Sequence, residues 1–96
     1  MAKGYWVTIY HSVSNPTAFA EYGKLATSAI QAHGGRFVVR GMPSTVYEEG
    51  KKERVVIIEF PSVADAVSTM ESAEYQAAKK VLGNSVKRDI RIVEGS

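Results

Sequence analysis

Residues 54–60 read Arg54-Val55-Val56-Ile57-Ile58-Glu59-Phe60, and this run decides the fold. Its β-branched and aromatic side chains suit a pleated surface, so the run is a strand. Side chains along a strand point alternately to two faces, yet Val55 to Ile58 is apolar at both parities. A strand of an antiparallel sheet with one face in water would alternate polar and apolar. Both faces of this strand are therefore expected to be covered.

Downstream, Pro61 stops the strand. Ser62 with Asp65 three residues later resembles a capping box, with Asp in place of the usual Glu or Gln, so a helix begins here. Val63, Ala66, Val67 and Met70 form its apolar stripe. Ser72 can cap a further turn or two carrying Tyr75, Ala78 and Leu82, and Gly83-Asn84 closes the segment. Ile90-Arg91-Ile92-Val93 is the last strand. Upstream, Glu49-Gly50-Lys51-Lys52 reads as a hairpin turn. Before it, Arg36-Phe37-Val38-Val39-Arg40 is a strand broken at Gly41-Met42-Pro43, and one reading resumes it as Thr45-Val46-Tyr47-Glu48. Proline cannot donate to a ladder, so the break implies a bulge or an edge.

The first strand is Tyr5-Trp6-Val7-Thr8-Ile9-Tyr10, again with large residues at both parities. Asn15 can accept from the free amides of a first helical turn and Pro16 suits the first helical position. Phe19, Tyr22, Ala26, Ala29, Ile30 and His33 then recur on one helical face, and Gly34-Gly35 ends that helix. The order is β-α-β-β-α-β, the ferredoxin-like arrangement: an α+β fold with a four-stranded antiparallel sheet and two helices on one face. The other face is left bare although its side chains are apolar. With no third helix and no long loop to cover it, the expected cover is the same face of a second copy, which predicts a homodimer.

Composition narrows the classes. At 96 residues the chain is one domain, residues 1–96, with a thin core. There is no cysteine, which excludes a disulfide framework and thiolate chemistry. No apolar run approaches the roughly 20 residues that span a bilayer, and the opening Met1-Ala2-Lys3-Gly4-Tyr5-Trp6 lacks the apolar stretch of a secretory leader. No membrane partner is expected, and the cytoplasm is the expected compartment. The net charge of +2 is small, and acidic residues interrupt both basic groups, so nucleic acid is not an expected partner. Dinucleotide, phosphate-loop, nucleophile-elbow and Cys-x-x-Cys motifs are all missing, and no cofactor is expected.

Read together, Lys3-Gly4-Tyr5-Trp6, His33-Gly34-Gly35-Arg36-Phe37, Arg40-Gly41, Glu59-Phe60-Pro61-Ser62, Ser72-Ala73-Glu74-Tyr75-Gln76-Ala77 and Ile92-Val93-Glu94-Gly95 resemble the bacterial family called domain of unknown function 1330. The resemblance covers nearly the whole chain. It implies a dimeric α+β barrel, in which two ferredoxin-like sheets face each other. The wider group so implied includes cofactor-independent monooxygenases, heme-handling enzymes, muconolactone isomerases and ligand-sensing modules, and does not choose among them. Thr69-Met70 stands where many members have an aromatic pair, Leu82 where many have arginine, and Met42 where glycine is frequent. If those positions line a pocket, its shape and charge differ in this chain.

Few residues can carry chemistry. His33 ends the first helical stripe, as a structural cap or as a general acid or base. His11 has no partner at metal-ligand spacing, and no metal site is expected. Tyr22 and Tyr75 can aim phenol groups into a cavity between helices and sheet or be core residues with satisfied hydroxyls, and Trp6 shares that ambiguity. Arg40 and Glu59 each end an apolar strand, where an unpaired charge is costly. Whether they share a face depends on the register around Met42-Pro43, which the sequence leaves open. Two functions follow. One is a cofactor-independent enzyme or binder of a small organic molecule, with Tyr22, His33, Arg40, Glu59 and Tyr75 as polar groups. The other is a non-catalytic dimeric interaction or regulatory module.

Overall fold

The helices cover one apolar face of the 54–60 strand and leave the other uncovered. The computed structural model describes residues 2–96; Met1, part of the opening stretch read above, lies outside them. The elements run β1 (Gly4–Val13), α1 (Pro16–Ala32), β2 (Arg36–Gly41), β3 (Arg54–Phe60), α2 (Val63–Glu71), α3 (Ala73–Leu82) and β4 (Val86–Glu94). The strands form one antiparallel sheet in the order β2-β3-β1-β4. Trp6, Tyr10, Val56, Ile58 and Phe60 share a buried cluster with Tyr22, Ala26, Ile30, Ala66, Tyr75 and Leu82. All three helices therefore lie on the face served by the even-numbered residues of β1 and β3.

Local chemistry sets the helix limits. The Ala18 N–H donates to Asn15 Oδ1 at 3.1 Å, and Pro16 occupies the first helical turn. At Ser62 the Asp65 N–H donates to the serine hydroxyl at 3.1 Å, and that hydroxyl donates in turn to the Asp65 carboxylate. Ser72 repeats the device for α3, where the Tyr75 N–H donates to its Oγ at 3.2 Å. Ser72 has extended backbone, so the second helical region splits into two helices where the sequence reading counted one. Gly34 takes φ of +86°, the left-handed turn that releases the chain from α1. A Cβ on Gly35 would lie 2.5 Å from Ile30 Cγ2 and 2.8 Å from the Phe60 ring, so only glycine lets α1 end this close to β3.

Two local expectations are corrected. No strand resumes at 45–48; β2 ends at Gly41 and residues 42–53 form an irregular connection. The turn falls earlier than Glu49-Lys52, with the Gly50 N–H donating to Tyr47 O at 2.9 Å and Glu48 at φ +52°. Pro43, two residues after Gly41, has no backbone N–H to donate to a continued ladder.

The fold is one helix layer on one sheet, and its shortest Cα extent is 15 Å. Tyr5, Val7, Ile9, Val39, Val55, Ile57 and Val93 share the face away from the helices. Val39 and Val93 are 42% and 52% exposed. At one end of this apolar stripe Glu59 accepts from Tyr5 Oη, Arg36 and Lys3. At the other, His11 lies between Glu53 at 3.1 Å and Asp89 at 3.0 Å.

Candidate functional site

Between α1 and the helix face of the sheet lies a cleft of about 730 Å³. The sheet supplies its floor through Trp6, Thr8, Tyr10, Val56 and Ile58, and α1 supplies its roof through Phe19, Tyr22, Ala26 and Ile30. Spacing of three and four along α1 puts those roof residues on one side of the helix, while Ala20, Gly23 and Ala26 keep the roof thin. Lys24, Arg40 and Arg54 stand around it, and among the described residues no carboxylate or imidazole lines it. Trp6 is held in place by its own Nε1–H, which donates to Thr8 Oγ1 at 3.0 Å, and by the edge of Tyr75 at 4.9 Å between ring centroids.

Beside the cleft is a partly buried polar cluster with one guanidinium at its centre. Arg88 Nη1 donates to Tyr10 Oη at 3.2 Å and to Tyr22 Oη at 2.9 Å, and Nη2 donates to Tyr75 Oη at 3.1 Å. The Tyr22 and Tyr75 oxygens are 2.7 Å apart. Burial pushes the Tyr22 phenol well above the ordinary tyrosine range; Tyr75 pushes the same way, and the Arg88 charge offsets only part of this. Burial likewise raises Tyr10. Both therefore remain neutral hydroxyls at physiological pH.

The sequence candidates separate. Tyr22, Trp6 and Arg40 line the cleft, and Tyr75 lies behind Tyr22. Arg40 stacks its guanidinium 3.8 Å over the Phe37 ring. Glu59 is on the opposite face, bonded to Tyr5, Arg36 and Lys3, so it does not meet Arg40. The reason is a bulge at Val38. Arg36 is opposite Glu59 and Phe37 opposite Ile58, but Val39 is opposite Ile57, which turns Arg40 to the helix side opposite Val56. His33 is outside the cleft: its backbone N–H caps α1 and its ring Nε2 lies 2.8 Å from Glu74. Thr69, Met70, Leu82 and Met42 all stand outside the cleft lining, so none of those departures from the family pattern contributes a wall to it.

Tyr10, Arg54 and Arg88 were missed. The last strand begins at Val86, not Ile90, and Arg88 then falls on the parity of Ile90 and Ile92. An arginine at a core-facing parity, opposite the aromatic Tyr10, is the signal that could have found it.

The family described as "Domain of unknown function (DUF1330)" matches residues 3–96. No curated protein matches the chain. Among solved structures, the RPA0582 protein of unknown function from Rhodopseudomonas palustris has a TM-score of 0.75 at 18% identity, over 99% of this chain and 83% of its own. SnoaB, a cofactor-independent oxygenase from Streptomyces nogalater, has a TM-score of 0.64 at 12% identity, over 100% and 95%. A nipsnap family protein with unknown function from Agrobacterium tumefaciens has a TM-score of 0.54 at 17% identity, over 98% and 88%. Likeness at these identities establishes the ferredoxin-like fold and no more.

Proposed function

We propose that this chain, which belongs to the domain of unknown function 1330 family, holds a small organic molecule in the cleft beneath α1, as one half of a homodimer joined through the uncovered sheet faces. The make-up of the cleft carries the reading: about 730 Å³ walled by Trp6, Phe19, Ile30, Val56 and Ile58, with few polar groups. Small-molecule sites have this composition, apolar walls around a handful of oriented anchors. Tyr22, Trp6 and Arg40 are the ligand-contacting residues in this reading, and Tyr75 positions Tyr22. His33 and Glu59 take no part.

Between turnover and simple binding, the lining favours binding. Acid–base catalysis usually needs a carboxylate or imidazole within reach of the substrate, and the described lining offers neither. The fold shared with SnoaB supports, at the level of scaffold, an activity without a cofactor. The homodimer is supported by the apolar stripe Val7, Ile9, Val39, Val55 and Ile57, flanked at both ends by ion-paired groups. An apolar centre with a polar rim is how stable interfaces are built.

A thermal-shift screen of metabolites tests the cleft, because a ligand at 100 times its dissociation constant stabilises by about 2.7 kcal/mol. The expected hit loses its shift when Ile58→Trp fills the floor. A screen in which every hit survives that substitution overturns the reading.

A further inference from the structure

The arginines divide by face. The chain has five: Arg36, Arg40, Arg54, Arg88 and Arg91. On the uncovered face, Arg36 lies 3.0 Å from Glu59 and Arg91 lies 3.3 Å from Asp89. On the helix face, Arg40, Arg54 and Arg88 have no carboxylate partner among the described residues. These three come from three different strands and converge on one end of the cleft. Arg54 and Arg88 flank Tyr10 as its cross-strand partners on β3 and β4. Arg40 sits in the adjoining row opposite Val56, and Lys24 faces them from α1.

Arg40 stays exposed at the rim, but Arg54 and Arg88 are partly buried, and a guanidinium drawn out of water without a counter-charge needs compensation. For Arg88 three phenol oxygens supply part of it. For Arg54 the chain leaves a gap: its Nε is buried and donates to nothing among the described residues. The phenols have hydrogens to spare. Tyr75 is 0% exposed, and among the described residues the one acceptor its hydroxyl meets is Tyr22 Oη, because Arg88 only donates. Tyr75 therefore donates to Tyr22, whose own hydrogen must point elsewhere. Tyr10 Oη also accepts from Arg88. Between them, Tyr10 and Tyr22 keep at least one hydroxyl hydrogen that no other group among the described residues accepts, and both rings line the cleft. A guanidinium behind a phenol polarises its O–H and strengthens it as a donor.

We infer that this end of the cleft is an oxyanion site, and that the ligand is an organic acid whose carboxylate meets Arg54 and the Arg88-backed hydroxyls of Tyr10 and Tyr22 while its apolar body lies on Trp6, Phe19 and Ile58. The inference rests on the cleft being the small-molecule site proposed above. Arg40 and Lys24 add positive potential at the rim, and a site so charged and free of carboxylates repels no anion. Raised phenol pKa values keep both hydroxyls protonated, so they donate to an anion and do not compete with it.

The test is an amide-resonance NMR titration of the whole chain with benzoate, cinnamate, naphthoate and hexanoate, each beside its uncharged amide. The titration both measures affinity and locates the perturbed residues. The expected result is that at least one acid perturbs the cleft residues and binds about tenfold or more tightly than its amide. That preference should collapse in Arg54→Gln and in Tyr10→Phe, with the acid losing far more affinity than its amide. Arg54→Gln removes a group that bonds to no side chain among the described residues, so the variant is expected to fold. Acid and amide binding alike in the cleft, or a preference that survives both substitutions, overturns the oxyanion site and leaves the small-molecule cleft standing. Perturbations confined to surfaces outside the cleft for every compound overturn both.

Discussion

Tyr75 is fully buried, with its oxygen fixed by Arg88 Nη2 and by Tyr22. Replacing it with phenylalanine keeps the ring against Trp6 but leaves a guanidinium N–H without an acceptor. Tyr75→Phe should therefore destabilise the chain by about 1–3 kcal/mol, read from urea unfolding. A neutral result would mean that water already satisfies Arg88 in solution. His11 sits at the opposite end of the sign scale. Its bond to Glu53, followed by that to Asp89, raises its pKa above the ordinary 6.5. A group whose folded-state pKa is raised contributes stability that is complete below the unfolded value and is lost as pH climbs through the folded value. The advantage of the natural chain over His11→Gln should then be greatest below about pH 6.5 and fade at alkaline pH. Unfolding curves across that range that keep a constant gap would remove the ionic account of this triad.

Among the elements, α1 carries a local weakness that the cleft explains. Gly23 lies mid-helix, where glycine costs roughly 1 kcal/mol relative to alanine, and a Cβ there would meet nothing within 4 Å. Gly23→Ala should raise stability by about that amount in thermal unfolding; no gain would mean this turn of α1 is not fully helical in solution. The elements themselves were legible because each has a local cause: Asn15-Pro16 opens α1, Ser62 opens α2, Ser72 opens α3, and Gly34 ends α1. What the sequence hid was register. One extra residue at Val38 decides whether Arg40 faces Glu59 or the cleft, and no propensity distinguishes Val38 from Val39. The site was legible to the same degree. Tyr22 and Trp6 followed from periodicity, whereas Arg88 needed the true start of β4, four residues before the apolar triplet that announces the strand.

At the scale of the molecule the question is what lies on the second face. Val7 is paired with Ile57, and Ile57 with Val39, so the middle of the sheet carries a continuous apolar row across three strands. A second copy related by a twofold axis would place this row against itself, since an isologous interface uses one patch twice. Ile57 is the residue to test, because its side chain points away from the helix-side core and its loss should leave Trp6, Tyr75 and the cleft intact. In the proposed dimer, Ile57→Lys buries two like charges near the symmetry axis without partners, a cost of several kcal/mol that no rim contact offsets. Light scattering on a chromatography peak should then give twice 10.5 kDa for the natural chain and 10.5 kDa for the variant. Tryptophan near-ultraviolet dichroism should remain unchanged, because Trp6 and the rings packed on it lie on the other side of the sheet. A natural chain that stays at a single chain mass at micromolar concentration would mean the apolar row is met by something other than its own copy.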